Sequence, residues 1–244
     1  MQKILDQLDE LAAKGASARV WWRDDDAIEP SAALDRLLAL SGDHDIPVTL
    51  AVIPAYSGAP LANRLRGQSH VTVAVHGWAH LNHASPGEKK QELGPHQPAH
   101  TVLHDLSRGL HHLKELHGAQ AAPVLVPPWN RISDALVARL PTAGFEALSV
   151  FGPERPAPLP VINTHVDVMD WRGTRGGRDP ALVADDLSAA IQRGAAVGLL
   201  THHLVHDEAA WGFLESLVSL TRDHPGWQWV SLPQLLAAKA PHPP

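Results

Sequence analysis

The feature that most constrains this chain is a series of short, wholly apolar runs separated by amphipathic stretches. Residues 47–54, 71–75, 123–126 and 196–200 show almost no alternation of polar and apolar side chains. A strand with one wet face alternates, whereas a strand covered on both faces does not. Such runs therefore predict parallel strands clothed by helices. Between them, Ile4, Leu5, Leu8 and Leu11 recur at helical spacing, as do Leu34, Leu37 and Leu38, and again Leu103, Leu106, Leu110 and Leu113. Further helices are expected over 180–193 and 211–221, with a last strand over 227–232. Strand and helix alternate along all 244 residues with no linker, which predicts one barrel-like α/β domain over 1–244. The longest stretch without a clear period is 85–100, polar and rich in Pro and Gly. Long loops inside compact domains are often functional.

Composition closes off several functions. No apolar run is long enough to cross a membrane. Met1–Glu10 reads as the start of a helix and not as a signal peptide. There is no Cys, so disulfides and thiolate chemistry are excluded, which fits a cytoplasmic address. The net charge of −6 opposes binding to a phosphate backbone, so no nucleic-acid partner is expected. The aromatic choice is unusual: eight Trp against one Tyr and three Phe. A Trp face stacks on a sugar ring, a reading given weight only where Trp adjoins a chemically active residue.

In α/β barrels the chemistry gathers where strands end. Just after apparent strands stand Asp24-Asp25-Asp26, His76, Asn130, Asp170 and His202. His76 and His80 would share a face if the chain turned helical there. Two imidazoles, one carboxylate and an open position make a catalytic zinc site. The carboxylate must come from the Asp run. Consecutive strand residues point to opposite faces, so three adjacent Asp cannot all converge unless the strand has ended; two can, one on the metal and one on its water. A bland alternative is a solvated turn that caps the helix after Pro30. His202 suits a general acid, with Asp170 to orient it. His206 reads as structural and His83 as lying beside the site. His104, His111, His112 and His117 read as solvated.

The order of these pieces resembles the polysaccharide deacetylases of the NodB-homology type, carbohydrate esterase family four: Asp-Asp, H-x-x-x-H, a Pro-Pro-aromatic turn, Asp-Trp, then Leu-x-His. The resemblance covers roughly Arg19 to Asp207. It implies a deformed (β/α) barrel of about seven strands, one divalent metal with zinc the first choice, and removal of acetyl groups from N-acetylated sugars or glycans. It makes Asp25 the general base, Asp26, His76 and His80 the metal ligands, and His202, in preference to His203, the general acid. Asp170 would orient that acid. The Trp129 amide would help hold the oxyanion, with Trp129, Asn130, Arg131 and Trp171 meeting substrate. Three positions depart from the family pattern. Gly77 stands where the family has Ser or Thr, Ala27 replaces a Gly, and Val126 replaces the Arg that pairs with the base. Arg23 or Arg131 would then have to substitute. Two other functions fit the residues: hydrolysis of another small-molecule amide or ester, and a barrel that keeps its metal only to bind glycans. The sequence sets neither the sugar nor the oligomeric state.

Overall fold

A computed structural model of the chain describes residues 1–239. The expected single domain runs to Pro244, so its last residues, 240–244, lie outside the described residues. The sheet is built from β1 (Ala18–Ala27), β2 (Val48–Val52), β3 (Val71–His76), β4 (Ala121–Val126), β5 (Ala147–Leu148), β6 (Val166–Asp167) and β7 (Val197–Thr201). They lie side by side in the order β5-β4-β3-β2-β1-β7-β6, every pairing parallel. β8 (Trp227–Trp229) pairs with the start of β1, on the edge that β2 takes further along and opposite β7. The sheet curls until its edges approach. There the segment before β6 bridges to the β5 side at Leu148–Val161 and Phe151–Thr164, giving the deformed α/β barrel expected.

Helices cover the outside: α1 (Gln2–Ala13), α2 (Ala32–Gly42), α3 (Ala59–Leu65), α4 (Ala99–His117), α5 (Asp134–Val137), α6 (Pro180–Gln192), α7 (Glu208–Thr221) and α8 (Leu232–Lys239). α2 begins where Ser31 Oγ accepts from the Leu34 amide at 3.0 Å, an N-cap worth about 1 kcal/mol. Along α4, Leu106, Leu110 and Leu113 are buried against the sheet, each contributing about 1.5–3 kcal/mol.

Because strand side chains alternate, the apolar runs feed two cores. Trp22, Leu50, Val52, Val73 and Val75 face the helices, whereas Trp21, Ala51, Ala74, Val124 and Val126 form a smaller cluster on the other face. Trp21 fits there because β7 carries Gly198. A Cβ at that glycine would lie 2.6 Å from the Trp21 indole nitrogen and 2.5 Å from the Asn163 carbonyl.

The last predicted strand shrinks, ending at Trp229 instead of residue 232. It lies at the sheet's margin, where pairing and not apolar pattern sets the length. Among the described residues no helix is long and apolar enough to cross a membrane.

Candidate metal centre and active site

β1 does not end before its acidic run: it carries all three Asp. Asp24 pairs with Leu50, but the next aligned pair is Ala27 with Val52, so an extra residue is squeezed into β1. This bulge, with Asp26 at φ 73°, re-aims the side chains. Asp25 and Asp26 both reach the site, and Asp24 turns away from it. Asp24 is fully buried and accepts from Thr201 Oγ1 at 2.5 Å, the His203 amide at 3.0 Å, and His203 Nδ1. Thr201 Oγ1 in turn accepts from Trp22 Nε1 at 2.8 Å. Burial disfavours the Asp24 charge, yet the His203 imidazolium and its hydrogen bond hold that carboxyl below the usual range. His203 is raised in return, since Asp24 outweighs the cost of burial. His203 is thus spent on locking β7 to β1.

The two imidazoles meet Asp26 at the end of β3. His76 Nδ1 donates to the Val126 carbonyl at 3.0 Å, leaving Nε2 turned toward Asp26 Oδ1 at 3.0 Å. His80 Nε2 lies 3.4 Å from the same oxygen. The ligand atoms of Asp26, His76 and His80 all fall within 4.8 Å of one another. A carboxylate and two imidazoles, one of them held in its tautomer by a carbonyl, form the donor set of a catalytic divalent-metal site. The residues present therefore fit such an ion. No helical turn joins the two histidines. Residues 77–80 form an open bend instead, with Gly77 at φ 61° and His80 at φ 54°, because the peptide amides there bond elsewhere. The His80 ring packs on Trp129 at 4.3 Å between centroids.

Arg23 is the partner of Asp25. It is wholly buried, and its Nε and Nη2 clasp the two oxygens of Asp25 at 2.8 and 3.0 Å. Nη2 also donates to Asn130 Oδ1 at 2.8 Å, and Nη1 to Ser149 Oγ at 2.7 Å. One guanidinium thereby ties Asp25 to the Pro127–Asn130 turn. Arg131, the other candidate, donates to the Lys90 carbonyl at 2.8 Å and stays with the loop. A signal for Arg23 lay in the sequence: residues two apart on a strand share a face. Val126 keeps a role through its carbonyl alone, which also accepts from the Gly77 amide at 3.1 Å.

His202 Nε2 lies 4.0 Å from Asp25 Oδ2. The edge of Trp171 packs on the His202 ring at 4.7 Å. The expectation that Asp170 orients this histidine is not met. Asp170 accepts from the Gly173 and Thr174 amides, each at 3.0 Å, and closes a turn that points away. Asp167, at the end of β6, holds the Trp171 indole that packs on His202. It accepts from Trp171 Nε1 at 2.8 Å and from the Met169 amide at 2.9 Å. Burial pushes the Asp167 carboxyl up, opposed first by the His202 charge. Behind His202, His206 accepts from the His202 amide at 3.2 Å. His206 is held down to about 4, chiefly by burial, so it stays neutral. His83 pairs with Gln97 and stands outside the ligand cluster.

The site is bounded by backbone in sparsely populated conformations. Asp26, His80, Trp129 and Asn130 all have positive φ, a cost of about 1–3 kcal/mol each. Such residues cluster where a fold holds groups against their preference, and here they mark the same spot as the ligands. Ser149, Asp167 and Glu92 were not anticipated. Asp167 carried a faint signal, since it ends a strand just ahead of the Asp-Trp pair. Glu92, in the long polar loop, carried none.

No protein-family model matches the sequence, and neither does any curated protein. Solved structures do. A protein assigned as a polysaccharide deacetylase from Mycobacterium smegmatis is 17% identical, with TM-score 0.69, over 92% of this chain and 90% of that one. The peptidoglycan deacetylase PdaC of Bacillus subtilis is 16% identical, TM-score 0.59, over 92% and 93%. A family 4 acetyl xylan esterase of Clostridium thermocellum, solved with a cobalt ion, is 16% identical, TM-score 0.57, over 91% of each chain. The fold is that of the NodB-type polysaccharide deacetylases and family 4 carbohydrate esterases, in a divergent form.

Proposed function

We propose that this chain is a metal-dependent hydrolase that removes acetyl groups from N-acetylated sugars. The observation that carries the reading is the convergence of a three-ligand cluster, a clamped carboxylate and a facing histidine at the C-terminal ends of parallel strands. The structural neighbours support it, because they include proteins named as deacetylases of peptidoglycan and esterases of acetyl xylan.

Asp26, His76 and His80 would hold the ion, with zinc the first candidate for two imidazoles and a carboxylate. When bound, a divalent metal supplies Lewis-acid activation of water and of the acetyl carbonyl. Asp25, fixed by the Arg23 fork, takes the proton from the attacking water as oxygen bonds to the carbonyl carbon. The Trp129 amide helps neutralise the charge gathering on the carbonyl oxygen. His202 gives a proton to the nitrogen as the C–N bond breaks, since an amide anion is a poor leaving group. The products are acetate and a free amine. Trp171, 45% exposed, offers a face for a sugar ring beside the acid, with Asn130 and Arg131 along the same rim. A cytoplasmic address belongs to this proposal and is supported by the Cys-free composition.

The test is acetate release from a panel of N-acetylated amino sugars and their oligomers. Wild type should turn over at least one, and both Asp25→Asn and His202→Ala should lose at least a hundredfold. Full activity in both variants would refute the assignment. Metal analysis of the purified protein should find one zinc-like ion per chain, absent from His76→Ala.

A further inference from the structure

We propose that Glu92, reaching in from the polar loop, is the positioning residue that holds the metal-ligand bend in its binding geometry. The inference rests on the metal centre proposed above and adds a part that the sequence motif lacks. The bend from His76 to His80 has no helical hydrogen bonds to define it. Its shape is set from outside. Glu92 Oε1 accepts from the Ala79 amide at 2.8 Å, and Oε2 from the Trp78 amide at 3.2 Å. The carboxylate is 5% exposed. Burial pushes its pKa up, opposed by the amides of Ala79, Trp78 and Leu81. These amides lie on both sides of His80, whose φ of 54° persists only where its surroundings over-determine it.

The space Glu92 occupies is available because residue 77 is glycine. A Cβ there would lie 2.1 Å from Glu92 Oε2 and 2.6 Å from the Pro128 ring. The Glu92 carboxylate thus takes the space that any side chain at residue 77 would need. Glu92 is itself held on both flanks. The Gln91 carbonyl accepts from the His83 amide at 3.0 Å, and the Leu93 carbonyl from the Ser133 amide at 2.9 Å. Leu93 also bridges to Ile132. One three-residue segment therefore splices the metal bend to the turn that carries Trp129 and Asn130, so that a ligand and the oxyanion donor share one brace.

The test is metal titration of the apo protein, with cobalt followed by its visible spectrum and zinc followed by competition with a chromogenic chelator. Glu92→Ala should weaken both metals at least tenfold and alter the cobalt spectrum, because outer partners of metal ligands are typically worth 10–100-fold in affinity. Glu92→Gln, which keeps one good acceptor, should fall between, at threefold or more. Asp170→Asn alters a comparable pair of turn bonds away from the ligands and should leave affinity and spectrum as in wild type. If Glu92→Ala does not fold, Glu92→Gln decides. Wild-type metal binding with both Glu92 variants within twofold and an unchanged spectrum would overturn this inference alone. A wild type that binds neither metal would overturn the metal centre and this inference with it.

Discussion

Replacing Arg23 by Met is the sharpest test of how Asp25 is held. Met matches the length of the arginine stem, so packing changes little while the charge and four hydrogen bonds vanish. Asp25 then remains buried without its cation. Breaking a buried ion pair from one side costs about 3–5 kcal/mol. At about 2–4 °C per kcal/mol for a chain of this size, the melting temperature should drop by about 6–20 °C. Acetate release should fall on the order of 100-fold, as when any group that orients a catalytic residue is removed. The double variant Arg23→Met/Asp25→Leu separates the two effects. With both charges gone it should regain stability to within about 1 kcal/mol of wild type and still be inactive. Circular-dichroism melts of the three proteins in metal-free buffer, with acetate assays alongside, make the comparison. A single variant that melts within 2 °C of wild type, about 1 kcal/mol or less, would show that Arg23 does not neutralise a buried charge, and the clamp argument would be lost.

Three further outcomes follow from the geometry. Asp167→Asn should lower acetate release by about 10–100-fold, whereas Asp170→Asn should stay within twofold; the reverse order would reinstate Asp170 as the partner of His202. Gly77→Ala puts a Cβ into Glu92 and Pro128 at φ 61°, and should destabilise by about 2 kcal/mol or more while weakening metal uptake; a wild-type melt would contradict the packing described. His206 titrates near 4 in the folded protein against 6.5 unfolded, so between those values the unfolded chain binds more protons. Stability should therefore fall as pH drops from about 6.5 towards 4, by at most about 1.4 kcal/mol per pH unit from this group. Urea unfolding across that range should show a shallower slope for His206→Asn, and an equal slope in the two proteins would rule the group out.

Much of the site was legible because it sits where apolar runs stop. The strand ends at His76, Val126 and Thr201 follow from patterns of a few residues, and parallel strands bring such ends to one rim. The histidine pair, the Asp run and the Trp-flanked turn could therefore be grouped before any coordinates. Local spacing also misled. His76 and His80 stand at helical separation but meet through an open bend, since the chain there answers to Glu92 and to the Val126 carbonyl and not to its own neighbours. Asp170 adjoins Trp171 in sequence, yet its carboxylate is taken up by the two amides just beyond it.

The sequence by itself determined the α/β alternation, the two-faced burial of the strands and the set of residues at their ends, because these depend on periodicity and on side-chain chemistry. Tertiary structure decided where each carboxylate of the Asp run lies. The β1 bulge sends Asp24 to His203 and Thr201 while delivering Asp25 and Asp26 to the site, and neighbours β2 and β7 set that register. It also decided that Arg23 stands in for the arginine missing at Val126, and that Glu92 fills the space opened at Gly77. Those pairings join residues far apart along the chain or depend on burial, and a local pattern records neither.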